Sequence, residues 1–307
     1  MKRLLTLSLG IILSTSIFAQ TKSVGSDSID VQNYKIDLSI VNLSSQSIYG
    51  YTEVVFTSKS NNLLNVPLDL LALNVDSVYY HGAKITTFSY DDTLLNISLP
   101  LPLAMSSTDS VKVYYSGNPV MDPSTWGGFY FSGDYAYNIG VGFESDPHNY
   151  GRVWFPCIDD FVDKAYYNVQ ITTDTGAMAV CGGTLIDSTL LPGNKIKWEW
   201  QLADPIPTYL ASVAVGPYVA YTDTFVGDLG NIPIEIYVPA THLSDAAGSF
   251  VNLKNVLTAF ETSFGPYRWE RVGYVAVPFN AGAMEHATNI AYPLIVVNGG
   301  LAYETLS

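Results

Sequence analysis

From Asp30 to about Tyr221 apolar residues recur at every second position, and no other property of the sequence limits the fold as strongly. Tyr34, Ile36, Leu38 and Ile40 share one side of an extended segment. Val111, Val113 and Tyr115 do the same, as do Tyr167, Val169 and Ile171, then Ile196, Trp198, Trp200 and Leu202. Successive side chains of a strand point to opposite faces, so this period describes strands with one face buried and the other in water. Polar and glycine-containing clusters such as Ser60-Asn61-Asn62, Asp91-Asp92 and Pro192-Gly193-Asn194 separate the runs as turns. The pattern predicts an antiparallel, two-layered β domain with no internal repeat.

Two stretches depart from this texture. Trp126 to Asn149 is glycine-rich, aromatic and acidic, and is expected to be a long irregular segment of functional character. After Gly227-Asp228-Leu229-Gly230, taken as a domain boundary, a strand over Ile232 to Val238 precedes a helix. In that helix Phe250, Leu253, Val256, Leu257, Phe260 and Phe264 form an apolar stripe expected to pack into the core. Ser244 is the candidate cap, and Gly265-Pro266 the stop.

Charge and export signals narrow the function classes. Fourteen basic residues face 28 acidic ones, a net charge of −14 without any basic cluster, which argues against nucleic acid as a partner. Residues 1–19 have the layout of a secretory signal: Lys2-Arg3, an apolar run from Leu4 to Leu13, then Ile17-Phe18-Ala19 at a cleavage point. That run is shorter than the roughly 20 residues a membrane span needs, so no membrane span is expected. The protein is expected to be exported to the periplasm, the cell surface or the medium. Cys157 and Cys181 fit either a disulfide of such a compartment or two buried thiols.

The segment Asn280-Ala281-Gly282-Ala283-Met284-Glu285-His286 follows a strand-like run from Val272 to Pro278. Residues too small to shield the backbone precede a lone carboxylate. Such a strand can offer main-chain hydrogen bonds to an extended peptide while Glu285 receives the positive charge at its amino end.

These residues carry a resemblance. Gly282-Ala283-Met284-Glu285 is similar to the exopeptidase signature Gly-x-Met-Glu-Asn of the aminopeptidase N family of zinc metallopeptidases, the gluzincin aminopeptidases. Arg152-Val153-Trp154-Phe155-Pro156-Cys157-Ile158-Asp159 resembles the family's Arg-x-Trp-Phe-Pro-Cys-x-Asp segment, with Lys164-Ala165 at its Lys-Ala. Pro207-Thr208-Tyr209-Leu210 before Val215-Gly216 resembles a third landmark, and Asp30-Val31 with Tyr34 the first strand.

The resemblance implies a mainly β chain: an antiparallel, saddle-like β-sandwich over residues 20–227, then the first strands and helix of a thermolysin-like α+β catalytic domain over 228–307. It implies one zinc ion in the complete enzyme, held by H-E-x-x-H and a distant Glu. Substrates would be peptides with a free N-terminus. Glu285 would bind the α-amine, Gly282, Ala283 and Met284 would line the substrate, and Glu144 or Asp146 would supply a second amine contact. His286 stands where the family has Asn, either as a polar substitute or as a source of pH sensitivity near neutrality. Asp160 and Phe161 replace the usual Glu and Pro, which leaves the local turn open.

The chain contains no H-E-x-x-H, and His81, His148, His242 and His286 show no paired helical spacing. No metal ligand or catalytic residue is assigned within it, and the zinc helix is expected beyond Ser307. The expected function is that of the N-terminal portion of an exported zinc aminopeptidase, inactive by itself. The alternative is a non-catalytic peptide-binding or adhesion module.

Overall fold

A computed structural model describes residues 23–300; the expected signal sequence lies outside them. The largest sheet has eight strands. Its order is Thr184–Leu191, Lys195–Ile206, Ala165–Asp174, Ile29–Ser39, Ile48–Ser58, Thr108–Gly117, Asn74–Tyr80 and Ala83–Ile85. Neighbours run antiparallel except Ile29–Ser39 against Ala165–Asp174, which are parallel. A three-stranded sheet (Leu63–Asp69, Leu94–Leu103, Phe88–Tyr90) and a four-stranded sheet (Met178–Cys181, Val213–Gly216, Tyr135–Gly142, Gly127–Ser132) share its core.

The alternation holds where it is regular. Tyr34, Ile36 and Leu38, Val111, Val113 and Tyr115, and Tyr167, Val169 and Ile171 are all buried. Burying each aliphatic side chain contributes about 1.5–3 kcal/mol, so these inward rows carry the layered packing. In the strand Lys195–Ile206, Trp200 and Leu202 are buried but Ile196 and Trp198 only half so. Cys157 and Cys181 are buried free thiols, both pushed up mainly by burial.

Two expectations about the connecting segments need correction. Most of Trp126 to Asn149 is a hairpin, Gly127–Ser132 pairing with Tyr135–Gly142, and only the residues after Gly142 are irregular. Gly227-Asp228-Leu229-Gly230 closes another hairpin rather than separating domains. There Tyr218–Gly227 pairs with Gly230–Pro239, Gly227 opposite Gly230, and Phe225 shares a core with Ile232. The strands change sheet earlier, between Gly216 and Tyr218.

The second four-stranded sheet runs Tyr218–Gly227, Gly230–Pro239, Val272–Val277 and Ile290–Pro293. Val272–Val277 is parallel to both neighbours and buried at every position. Val275 and Val277 face the core of the β domain, while Val272, Tyr274 and Ala276 face a second core under the helices. That double burial explains an apolar run without alternation.

The expected single helix is two, Leu243–Ser249 and Leu253–Phe264, and Ser244 lies inside the first rather than capping it. Gly265 ends the second with φ 93°, a conformation suited to glycine. The expected buried stripe is only partly so. Leu253 and Leu257 are buried, but Phe260 and Phe264 are 50% and 84% exposed. Glu261 is buried in their place, accepting the main-chain N–H groups of Tyr267 at 2.8 Å and Asp228 at 3.1 Å.

Candidate functional site

The chain leaves the strand Val272–Val277 at Pro278 and enters a loop that carries Glu285. The expected peptide-binding strand is reduced to one bridge, in which Met284 and Ala291 exchange N–H···O bonds of 3.0 and 2.9 Å. Met284 is itself buried in the core, so its side chain holds the loop down rather than facing the cleft. Gly282 has φ 150°, and a Cβ there would touch the Trp126 ring at 3.5 Å, so the backbone angle rather than crowding favours glycine. Ala283 is half-buried against the second core.

The β domain fixes this loop from below. Ala287 N–H donates to the Leu210 carbonyl at 3.2 Å, Gly183 N–H to Thr288 Oγ1 at 2.6 Å, and Asn289 Nδ2 to Ser212 Oγ at 3.0 Å. Arg271, 1% exposed, joins the two parts. Its guanidinium donates to Glu235 at 3.0 Å and to the carbonyls of Cys181 and Thr288, each at 2.8 Å, with Trp200 4.9 Å below its plane. Gly273 makes room, since a Cβ there would lie 2.1 Å from the Thr288 carbonyl.

Glu285 is exposed and lines a cleft of about 210 Å³ with Leu210, Tyr267, Trp269 and Ile290. Among the described residues its carboxylate has no cationic partner. An unpaired carboxylate beside apolar walls is suited to an ammonium group, because the partly desolvated contact strengthens a charge-assisted hydrogen bond.

Glu144 sits in a second loop, also exposed. Asp122 organises that loop by accepting the Glu144 N–H at 3.1 Å, the Ser145 N–H at 3.0 Å and the hydroxyls of Ser124 and Ser145. Burial pushes the Asp122 carboxyl up, but these hydrogen bonds outweigh it and hold the group at about 2. Phe143 stacks on Trp126 at 4.5 Å, and Trp126 donates from its indole to the Ala281 carbonyl, so the loops of Glu144 and Glu285 meet through one aromatic ring.

The other motif residues build the floor. Buried Asp159 accepts the Thr208 hydroxyl at 2.6 Å and the N–H groups of Gly151 and Arg152, and lies 3.5 Å from the Arg152 guanidinium. Burial raises its carboxyl to about 6, against the pull of Arg152. Thr208 thereby anchors the turn whose Leu210 carbonyl holds Ala287. Asp160 and Phe161 do not disturb this turn. Asp160 accepts the N–H groups of Val162 and Asp163 and the Ser26 hydroxyl, and Phe161 packs edge-on against Tyr209 at 5.2 Å.

His286 is buried, its Nε2 3.4 Å from the Asn138 amide. Burial pushes it down to about 3, so it is neutral at ordinary pH, which favours the polar-substitute alternative over a pH sensitivity near neutrality. Among the described residues no group of three or more His, Cys, Asp or Glu is placed to hold a metal ion. The described residues therefore do not fit a zinc centre.

The profile of the peptidase M1 N-terminal domain matches residues 31–210, more than half of the chain. The chain belongs to the M1 peptidase family. An M1 zinc metallopeptidase from Deinococcus radiodurans, a mutant bound to a Tyr-Ser-Ala substrate, has the same fold. Its TM-score is 0.78 at 23% identity, over 89% of this chain and 62% of that one. Human aminopeptidase B is 32% identical over 139 residues, 44% of this chain and 20% of its own length. Transcription initiation factor TFIID subunit 2 of Drosophila melanogaster is 30% identical over 76 residues, 24% of this chain and 6% of its own. The chain thus spans under two thirds of the solved M1 relative and a fifth or less of these curated ones.

Sequence reasoning missed four residues of this site. Trp126 opens the stretch marked as functional and Asp122 lies four residues before it, but nothing in their spacing names a partner. Arg271 and Asn138 sit in strand-like surroundings where a polar residue reads as solvent-facing. A basic residue directly before a continuous apolar run was the available signal for Arg271.

Proposed function

We propose that this chain supplies the amine-recognising part of an exported, zinc-dependent aminopeptidase that removes residues from peptide N-termini. The observation that supports it is the exposed Glu285, without a cationic partner among the described residues, at the rim of an apolar-walled cleft on a loop held in place by the β domain. Glu285 pairs with the substrate's α-ammonium, Glu144 adds a second negative charge, and the backbone of Gly282, Ala283 and Met284 flanks the peptide. An internal peptide bond has no ammonium to offer, so the pairing selects chain ends. The zinc ligands belong to sequence outside this chain.

In the complete protein, Glu285→Ala should lower kcat/KM for free-amine peptides at least 30-fold, in line with about 2–5 kcal/mol for removing one partner of a desolvated ion pair. The melting temperature should hardly change. An unaltered kcat/KM would refute the role. The 307 residues alone should neither bind zinc stoichiometrically nor cleave aminoacyl substrates.

A second reading, a non-catalytic peptide-binding module, draws on the TFIID subunit 2 match, since that relative is not named as a peptidase. Amine-dependent peptide binding by the complete, zinc-supplemented protein without turnover would favour it.

A further inference from the structure

The hollows on the outer face of the eight-stranded sheet share no lining residue with the Glu285 cleft, and the face is open to water: Tyr49 and Tyr166 are each 45% exposed on it. Cross-strand register sets its side chains in rows that cross the strands. One row is Tyr79, Lys112, Glu53, Lys35 and Asn168, and the next is Tyr114, Tyr51, Asp37, Gln170 and Glu199. With neighbouring strands about 4.8 Å apart, five positions span roughly 19 Å.

The rows enclose two hollows. The larger, about 390 Å³, is lined by Tyr79, Tyr114, Lys112 and Glu53 among others; the smaller, about 140 Å³, by Tyr51, Lys35, Asp37, Asn168 and Gln170. The tyrosine rings form a connected but faceted cluster, with Tyr51 5.2 Å from Tyr114 and tilted 49° to it, and Tyr79 5.5 Å away and nearly edge-on at 68°. Lys112 Nζ lies 4.3 Å over the Tyr51 ring and 3.7 Å from Glu53, on the ridge between the hollows.

The charges on this face are balanced in a chain of net charge −14. Lys35, Lys112 and Lys197 around the two rows are matched by Asp37, Glu53 and Glu199, and beyond them Lys84 and Lys195 by Asp187 and Asp174, with Lys35–Glu53 at 3.1 Å and Lys197–Asp37 at 2.8 Å. A nucleic acid needs net positive charge. A protein partner would bury these ion pairs, whereas the centres of protein interfaces are depleted of charge. A neutral polyhydroxylated chain demands neither. Its ring faces lie on phenol rings, which are apolar across the body and polar at the tip, and its hydroxyls both donate and accept among paired amides and charges.

We infer that this face binds a neutral oligosaccharide, with sugar rings on Tyr79, Tyr114 and Tyr51 and hydroxyls bonded to Glu53, Asn168 and Gln170. The site is distinct from the peptide cleft and would hold the protein on a polysaccharide while the cleft handles peptides.

Native gels of the 307-residue chain cast with mixed-linkage β-glucan, xyloglucan, galactomannan or amylopectin should show retarded migration in at least one. Calorimetric titration with hexasaccharides of that polymer should give an affinity that falls at least tenfold in Tyr51→Ala and in Tyr114→Ala. Tyr51→Phe, which keeps the ring, should retain most of it. Circular dichroism and the melting temperature certify that the variants fold, and Tyr79→Ala serves if Tyr114→Ala does not. Unretarded migration in all four neutral gels would overturn the inference. So would retardation only by acidic polymers such as alginate, retention that survives the Tyr51→Ala, Tyr114→Ala double variant, or capture of a protein through these tyrosines with no glycan binding.

Discussion

The indole N–H of Trp126 donates to the main-chain carbonyl of Ala281 at 3.2 Å, across 155 residues of sequence. With Phe143 stacked on one side of the ring and Phe279 edge-on at 5.5 Å, this contact fixes the distance between the Glu144 and Glu285 loops. Trp126→Phe should keep the ring packing and lose the donor. The cost is about 1 kcal/mol of stability, the worth of a typical hydrogen bond, with faster amide exchange at Gly282 and Ala283. Exchange rates equal to those of the parent protein would show that the loops are held otherwise.

Arg271 is the charged joint. Arg271→Met removes the guanidinium, takes this donor from the Cys181 and Thr288 carbonyls and leaves Glu235 with the Tyr237 hydroxyl alone, which should cost about 3 kcal/mol in denaturant titrations. Arg271→Lys keeps the charge but not the planar fork, and should recover only part of that loss. Full recovery by Lys would mean that charge alone matters.

His286 gives the stability a slope on the acid side. The folded chain keeps the ring neutral down to about pH 3, whereas the unfolded chain takes up a proton near the usual 6.5. Between those values the unfolded state binds more protons, so stability falls as pH drops, by at most about 1.4 kcal/mol per pH unit. His286→Asn should flatten that part of the melting-temperature profile, and a difference from the parent that does not vary with pH would contradict it.

Asp163 works in the opposite sense. Burial raises its carboxyl to about 7, against Lys59 and the Val31 N–H that accompany it. From near pH 4 to pH 7 the folded state retains a proton that the unfolded chain has released, so its contribution falls as pH rises. Asp163→Asn should remove this slope and raise the melting temperature above pH 7. A variant less stable than the parent at pH 8 would mean that the carboxylate is better paired than its burial indicates.

The layered β domain was legible because its strands bury one face, and a residue such as Ile36 then alternates with Lys35 and Asp37 in plain view. The division between sheets was not, because Gly-Asp-Leu-Gly has the same composition whether it closes a hairpin or links two bodies. Helical spacing showed that Phe260 and Phe264 point the same way, but spacing carries no information on what covers them, and both prove exposed. At the site the local residues named Glu285, while the contacts that hold it come from Leu210, Gly183, Ser212 and Trp126, whose proximity is a product of the tertiary fold. Met284 matched a signature and is nonetheless occupied with the core, since its main chain is committed to Ala291.

The strand from Val272 to Val277 lends one face to each of two cores. A protease cut at Gly216-Pro217 would break the covalent thread and leave both halves wedged on the same six residues, so neither half should be expected to survive grafting onto another scaffold. Any exchange of one half between homologous proteins has to carry this strand's opposite face along with it.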